Sequence, residues 1–238
     1  MTPFIALAAA ADPLHGLASR PVMLFIAIGA LSIVPFVLLL MTSFVKIAIV
    51  LSILKSAIGA AQVPPSQVIT GLALILTVYV MAPTAERMYQ AAEPDLGRGA
   101  GAELLSGQSL EALGGAALKA KEPLREFLLK HTSTRERTLF YELALRLRSP
   151  EARAAISDRD FLVVVPAFLT SELRRAFEIG FLLFIPFLVV DLVVANLLVA
   201  LGMNMLSPTS VSLPLKLLLF VVADGWQLVL RGLIESYV

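Results

Sequence analysis

The chain contains no cysteine, two histidines and one tryptophan, and only 16% of its 238 residues are charged. Without cysteine there are no disulfides, thiolate nucleophiles or thiolate metal sites. The histidines, His15 and His131, lie in different regions and make no zinc site by themselves; each reads as an ordinary surface or cap residue. The shortage of charge is more informative. A soluble domain carries about a quarter charged residues. Here 58% of residues are hydrophobic and the mean hydropathy is +0.86, so the chain reads as membrane-associated.

Charge is missing in blocks. Residues 21–45, 62–85 and 192–215 hold none, whereas 86–160 hold twelve basic and twelve acidic side chains. One polar region is therefore inserted between apolar ones, and its balanced signs argue against a nucleic-acid footprint. The expected fold is all-α, with two long apolar helical hairpins separated by a small charged helical domain.

Residues 1–21 form an N-terminal segment in which FIALAAAAD has a short apolar core and an Ala-x-Ala pattern but no preceding base, a weak signal-like sequence. Residues 22–85 read as the first hairpin. Val22 to Val45 is long enough to cross a bilayer and should kink at Pro35. A second helix starts at Ser66 or Gln67 and closes near Ala82, at Pro83 and Glu86. The link 46–62 carries Lys46 and Lys55 without an acid, which favours the cytoplasm for the link and the opposite side for the polar region.

The polar region 86–160, expected to be mostly helical and extracytoplasmic, opens on a Gly-rich connection, DLGRGAGAELLSGQ. Ser133 with Glu136 has capping-box spacing, and Ser149-Pro150-Glu151 reads as a cap with proline at the first helical position. Residues 161–238 read as the second hairpin. The spacings Glu172 to Arg175 and Arg174 to Glu178 permit same-face pairing. Ionised groups are costly in hydrocarbon, so Asp191, Lys216 and Asp224 should face protein, water or one another; they read first as ion pairs that fix helix register, with assembly contacts and a proton or ion relay as the alternatives. Lys216 and Asp224 share a helical face but lie about 12 Å apart along it, so their partners belong to other helices or subunits.

GMNMLSP, residues 202–208, interrupts the most apolar third. Gly202 and Pro208 can end one helix and re-aim the chain, leaving Met203, Asn204 and Met205 on a loop between two apolar helices. If copies of that loop met around an axis, unbranched thioethers would form a deformable apolar constriction. No phosphate-binding glycine motif, zinc-ligand spacing or nucleophile elbow is present, so the chain reads as a protein without enzymatic activity or cofactor.

TSFVKIAIVLSILKSAIGAAQVPPSQVITGLALILTVYVMAP, residues 42–83, resembles the first hairpin of the FliP/SctR/YscR family of type III secretion export gate proteins. Residues 166–238, from PAFLTSELRRAFEIG to RGLIESYV, resemble its C-terminal half. The resemblance implies a core pore-forming subunit that conducts unfolded secreted proteins across the bacterial inner membrane. It implies five copies assembled with four copies of a small two-helix subunit and one larger gate subunit, in a helical, cone-like complex largely at the periplasmic side. That complex adjoins a ring-forming export apparatus protein and the inner rod or needle.

In the family a methionine-rich loop forms the channel gasket. It maps onto Met203, Asn204 and Met205, with Asn204 where the family has methionine. The family's charged positions fall on Asp191, Lys216 and Asp224, where the resemblance favours assembly and register; Glu178 and Lys46 are read beside them as assembly or ion-pair residues, and Gly202 and Pro208 as the residues that shape the loop. The Ser-Pro after the loop, the RGLIESYV segment and the signal-like sequence lean toward the non-flagellar, virulence-associated branch. The competing reading is a polytopic small-molecule or ion transporter, which would explain the intramembrane charges but predicts internal repeats that the two halves lack.

Overall fold

The computed structural model describes residues 29, 32–59, 64–99, 107–153, 156–203 and 205–238. The signal-like segment, His15 and Asn204 lie outside them. The chain divides into two units, Met1–Leu40 and Met41–Val238. In the first, helix α1 (Ser32–Leu40) carries Pro35. The second contains α2 (Phe44–Ile58), α3 (Ser66–Gly99), α4 (Gly107–His131), α5 (Thr134–Arg146), α6 (Pro150–Arg153), α7 (Phe161–Ala200), α8 (Pro208–Val222) and α9 (Gly225–Glu235). All regular structure among the described residues is helical.

The expected single helix over 22–45 is interrupted at Met41–Ser43. There the Phe44 amide donates to Thr42 Oγ1 at 3.3 Å, a local side-chain bond that competes with the helical ladder. What reads in the sequence as a link after residue 46 is α2 itself. Its buried face, Ile47, Val50, Leu51, Leu54 and Ile58, recurs at helical spacing. Gly59, at φ 81, ends it in the left-handed region that glycine enters without strain.

Pro83 does not close the second apolar helix. α3 runs for 34 residues through both Pro83 and Pro94. Each proline removes one backbone hydrogen bond, but packing on α4 carries the helix past them. Thr84, Ala92 and Asp95 are buried there, as are Ala116, Leu124 and Phe127 of α4. Arg87 pairs with Glu126 at 3.4 Å and Asp95 with Lys119 at 2.9 Å, which sets the two helices antiparallel. At the start of α5, Ser133 occupies the N-cap without a side-chain cap bond. The capping box does not form because the Ser133 amide donates to Ser171 Oγ at 3.0 Å while Glu136 binds Arg174.

α2 packs along the middle of α7, where a Cβ on Gly180 would lie 2.4 Å from Ile53 Cδ1, so any larger residue there has to displace the Ile53 side chain. α8 and α9 meet at a 61° bend. Asp224 takes φ 48 at the break, and a Cβ on the following Gly225 would meet the Phe220 ring at 2.2 Å.

Ser66–Gly97 and Phe161–Ala200 are long and apolar enough to cross a membrane, and α1–α2 and α8–α9 qualify only when each pair is taken together. Only 17% of the most apolar α7 window is buried within the chain. Phe181, Leu182, Leu192, Val199, Leu218 and Val222 are all exposed. Such apolar surface requires lipid or further protein around it.

Candidate functional site

Two buried polar clusters and one loop collect the residues singled out by the sequence. The first cluster joins α7, α8 and the end of α2. Lys216 Nζ lies 2.6 Å from Asp191 Oδ2 and donates to Ala57 O at 3.2 Å, while Ser212 Oγ donates to Asp191 Oδ1 at 2.6 Å. The lysine thus answers a carboxylate and also the unpaired carbonyl end of α2, where the helix dipole favours a cation. Its side chain is 5% exposed and that of Asp191 37%, so the carboxylate keeps one side open.

Asp224 does not join this cluster. It is exposed, sits at the N-cap of α9 without a side-chain cap bond, and has no ion-pair partner among the described residues. Glu178 pairs with Arg174 at 3.0 Å on the surface.

The second cluster is centred on Lys46 and Glu172, both fully buried, with Nζ and Oε2 3.4 Å apart. Lys46 Nζ also sits 3.5 Å from the centroid of the Tyr237 ring. The Tyr237 hydroxyl donates to Glu172 Oε2 and lies 3.4 Å from Ser43 O. Arg175 Nη1 reaches Glu172 Oε1 at 3.4 Å and His131 O at 3.1 Å. Burial and the Glu172 carboxylate push the Tyr237 phenol up, so it stays a neutral donor.

Lys46 is therefore no loop charge facing the cytoplasm, and the orientation drawn from it loses half its basis. His131 is likewise no surface residue. Its ring is covered by Phe127 at 4.7 Å and Tyr237 at 5.0 Å. Burial first, then the charges of Lys130, Lys46 and Arg175, hold its imidazole down at about 4. Tyr237 was not singled out in the sequence, where its one available signal was an aromatic residue following a strongly amphipathic helix.

The loop between α7 and α8 is built by local rules. Gly202, at φ 73, donates to Val199 O, and the Met203 amide donates to Leu198 O at 2.9 Å. This pair of bonds is the Schellman ending, which needs a left-handed residue at Gly202. Pro208 opens α8 after the N-cap Ser207, where its missing N–H costs nothing. Between them Met203 is 47% and Met205 101% exposed.

Two helices of bilayer length, with two bent pairs that each qualify as one further span, make this a polytopic membrane protein. The FliP family profile matches residues 27–233. The chain is 42% identical over 208 residues to the hypersensitivity response secretion protein HrcR of Ralstonia nicotianae, covering 87% of this chain and 93% of that one. It is 46% identical over 222 residues to the flagellar biosynthetic protein FliP of Caulobacter vibrioides, with 93% and 78% covered. It is 40% identical over 237 residues to the flagellar biosynthetic protein FliP of Bacillus subtilis, with 100% of both covered. The chain belongs to the FliP family. As a member it is a non-catalytic part of the export-gate complex of a type III secretion system. Its relatives include both flagellar biosynthetic proteins and hypersensitivity-response or pathogenicity-related proteins, so the comparisons favour neither branch.

Proposed function

We propose that the chain is the core pore-forming subunit of the export gate, conducting unfolded protein substrates across the bacterial inner membrane, with Met203, Asn204 and Met205 closing the channel. The observation that carries the gasket reading is the loop itself: the Schellman ending and the proline start hold Met203 and Met205 away from the chain's own core, with both side chains exposed. Flexible thioethers contributed by several copies would pack against one another and yield to a passing chain. Gly202 and Pro208 shape the loop. The Asp191–Lys216 and Lys46–Glu172 pairs keep register within a subunit, while Asp224 and Glu178, both exposed, serve contacts between subunits.

The same proposal includes the assembly. Five copies join four of a small two-helix subunit and one larger subunit in a helical cone at the periplasmic side, between a ring-forming export apparatus protein and the inner rod or needle. The two apolar hairpins are buried there mainly by neighbouring subunits, in the manner of an obligate interface. Assignment to the non-flagellar branch rests on the Ser-Pro after the loop, the RGLIESYV segment and the signal-like sequence.

Ion leak through the assembled gate tests closure. Replacing Met203 and Met205 with Ala raises the leak without disturbing assembly, and an unchanged leak refutes the gasket. Native mass spectrometry of the co-expressed complex tests stoichiometry, and a monomer or dimer that binds no partner refutes the gate.

A further inference from the structure

A groove of about 520 Å³ opens between α3, the end of α4 and the segment after α9. Tyr79, Pro83, Phe127 and Ile234 make its walls mostly apolar, and Arg87 and Lys130 stand among them. Its lining includes His131 and Tyr237. Behind these two, Lys46 lies over the Tyr237 ring and Arg175 holds His131 O. Two cations therefore line the groove beside the Glu126 carboxylate, and two more lie behind its wall with Glu172. The lowered proton affinity of His131 reflects burial first and then Lys130, Lys46 and Arg175, as expected where the potential is positive.

The groove also lies at a boundary in the sequence. Residues 62–85 carry no charge, and Glu86 and Arg87 are the first charges after them. Below that boundary Val68, Ile75 and Tyr79 share one face of α3 and are 56%, 69% and 67% exposed. Tyr79 and Ile75 lie about 12 and 18 Å below Arg87 at the helical pitch, within the roughly 20 Å depth of one leaflet with its headgroups, whereas Val68 lies about 28 Å below it and deeper than one leaflet. Tyr79 belongs to both stripe and groove.

We propose that this groove binds one anionic phospholipid, its phosphate held by Arg87 and Lys130 and an acyl chain lying along Tyr79 and Ile75. Both cations have donors to spare. Arg87 spends only Nη1 on Glu126, at 3.4 Å in an exposed pair that a phosphate can displace, and Lys130 Nζ gives one bond to Val238 O at 3.1 Å. The inference concerns the subunit in the bilayer before neighbouring subunits cover its hairpins; it rests on the polytopic membrane reading and does not depend on the Met loop.

The test uses the full chain reconstituted into phosphatidylcholine vesicles containing a minor fraction of phosphatidylglycerol, gently extracted and weighed with its retained lipid by native mass spectrometry. Phosphatidylglycerol is retained well above its share in the vesicles. The preference falls about twenty-five-fold in Arg87→Gln/Lys130→Gln, at about fivefold per basic side chain, and is unchanged in Arg146→Gln/Arg148→Gln. Retention of the two lipids in the vesicle ratio overturns the inference. Displacement by millimolar inorganic phosphate overturns it in favour of a free-anion site. A photoreactive side chain at Ile75 crosslinks to lipid, and crosslinks only to a second copy of the chain overturn it in favour of a protein contact. A chain that never enters the vesicles overturns the membrane reading itself.

Discussion

Removing the two members of the Lys46–Glu172 pair should have unequal costs. Glu172 receives Lys46, Arg175 and the Tyr237 hydroxyl, whereas among the described residues Lys46 has Glu172 as its only carboxylate and the Tyr237 ring as its other support. Breaking a buried pair costs about 3–5 kcal/mol because one charge is left uncompensated. In Lys46→Met the carboxylate keeps two donors, so the loss falls at or below the lower end, about 2–3 kcal/mol. In Glu172→Gln the ammonium keeps only a cation–π contact worth about 0.5–2 kcal/mol, and the loss reaches about 4–5 kcal/mol. The double variant removes both charges and recovers to within about 2 kcal/mol of the parent.

The assay is thermal unfolding in mild detergent, followed by the fluorescence of Trp226, the single tryptophan, which sits edge-on to Phe220 at 5.3 Å. At about 2–4 °C per kcal/mol for a chain of this size, Glu172→Gln melts roughly 8–20 °C below the parent and Lys46→Met roughly 4–12 °C below. Equal losses, or a double variant as unstable as the two singles summed, would refute the assignment of Glu172 as the organising group.

His131 supplies the pH dependence. Its folded value of about 4 lies below the ordinary 6.5, so between those limits the unfolded chain takes up a proton that the folded chain refuses. Stability therefore falls by up to about 3 kcal/mol as pH drops from 6.5 to 4. His131→Leu flattens that part of the melting profile, and an unchanged slope contradicts the burial argument. At Gly202 nothing lies within 4 Å of an added Cβ, so Gly202→Ala reports the positive φ alone and costs about 1 kcal/mol, with Gly202→Asn milder. Equal melting of all three chains would show that the Schellman ending is dispensable.

Features governed by neighbours in sequence were legible before the structure. The Met loop follows from Gly202 stopping one helix and Pro208 starting the next, and the division into apolar and charged regions follows from where charge is missing. Features governed by distant partners were not. Pro83 reads as a terminator because its lost hydrogen bond is local, while the packing of Thr84 and Ala92 against α4 that carries the helix onward is not. Lys46 reads as a loop charge for the same reason, since Glu172 lies far along the chain and only the fold brings it within 3.4 Å. Tyr237 carries no motif at all, and its role follows from the hole between Lys46, Glu172 and His131 that it fills.

The 40-residue helix α7 is about 60 Å long, twice the thickness of a hydrocarbon layer, and Gly180 lies almost at its midpoint. Where α2 presses Ile53 against that glycine, the helix has a fulcrum with two nearly equal arms. One arm leads to the Met loop and the other to the charged helices. A tilt of about 10° about that point displaces each end by about 5 Å in opposite directions. Pro186 removes one bond from the arm that leads to the Met loop, so the loop follows a tilt of the polar arm only as far as the helix stays straight there.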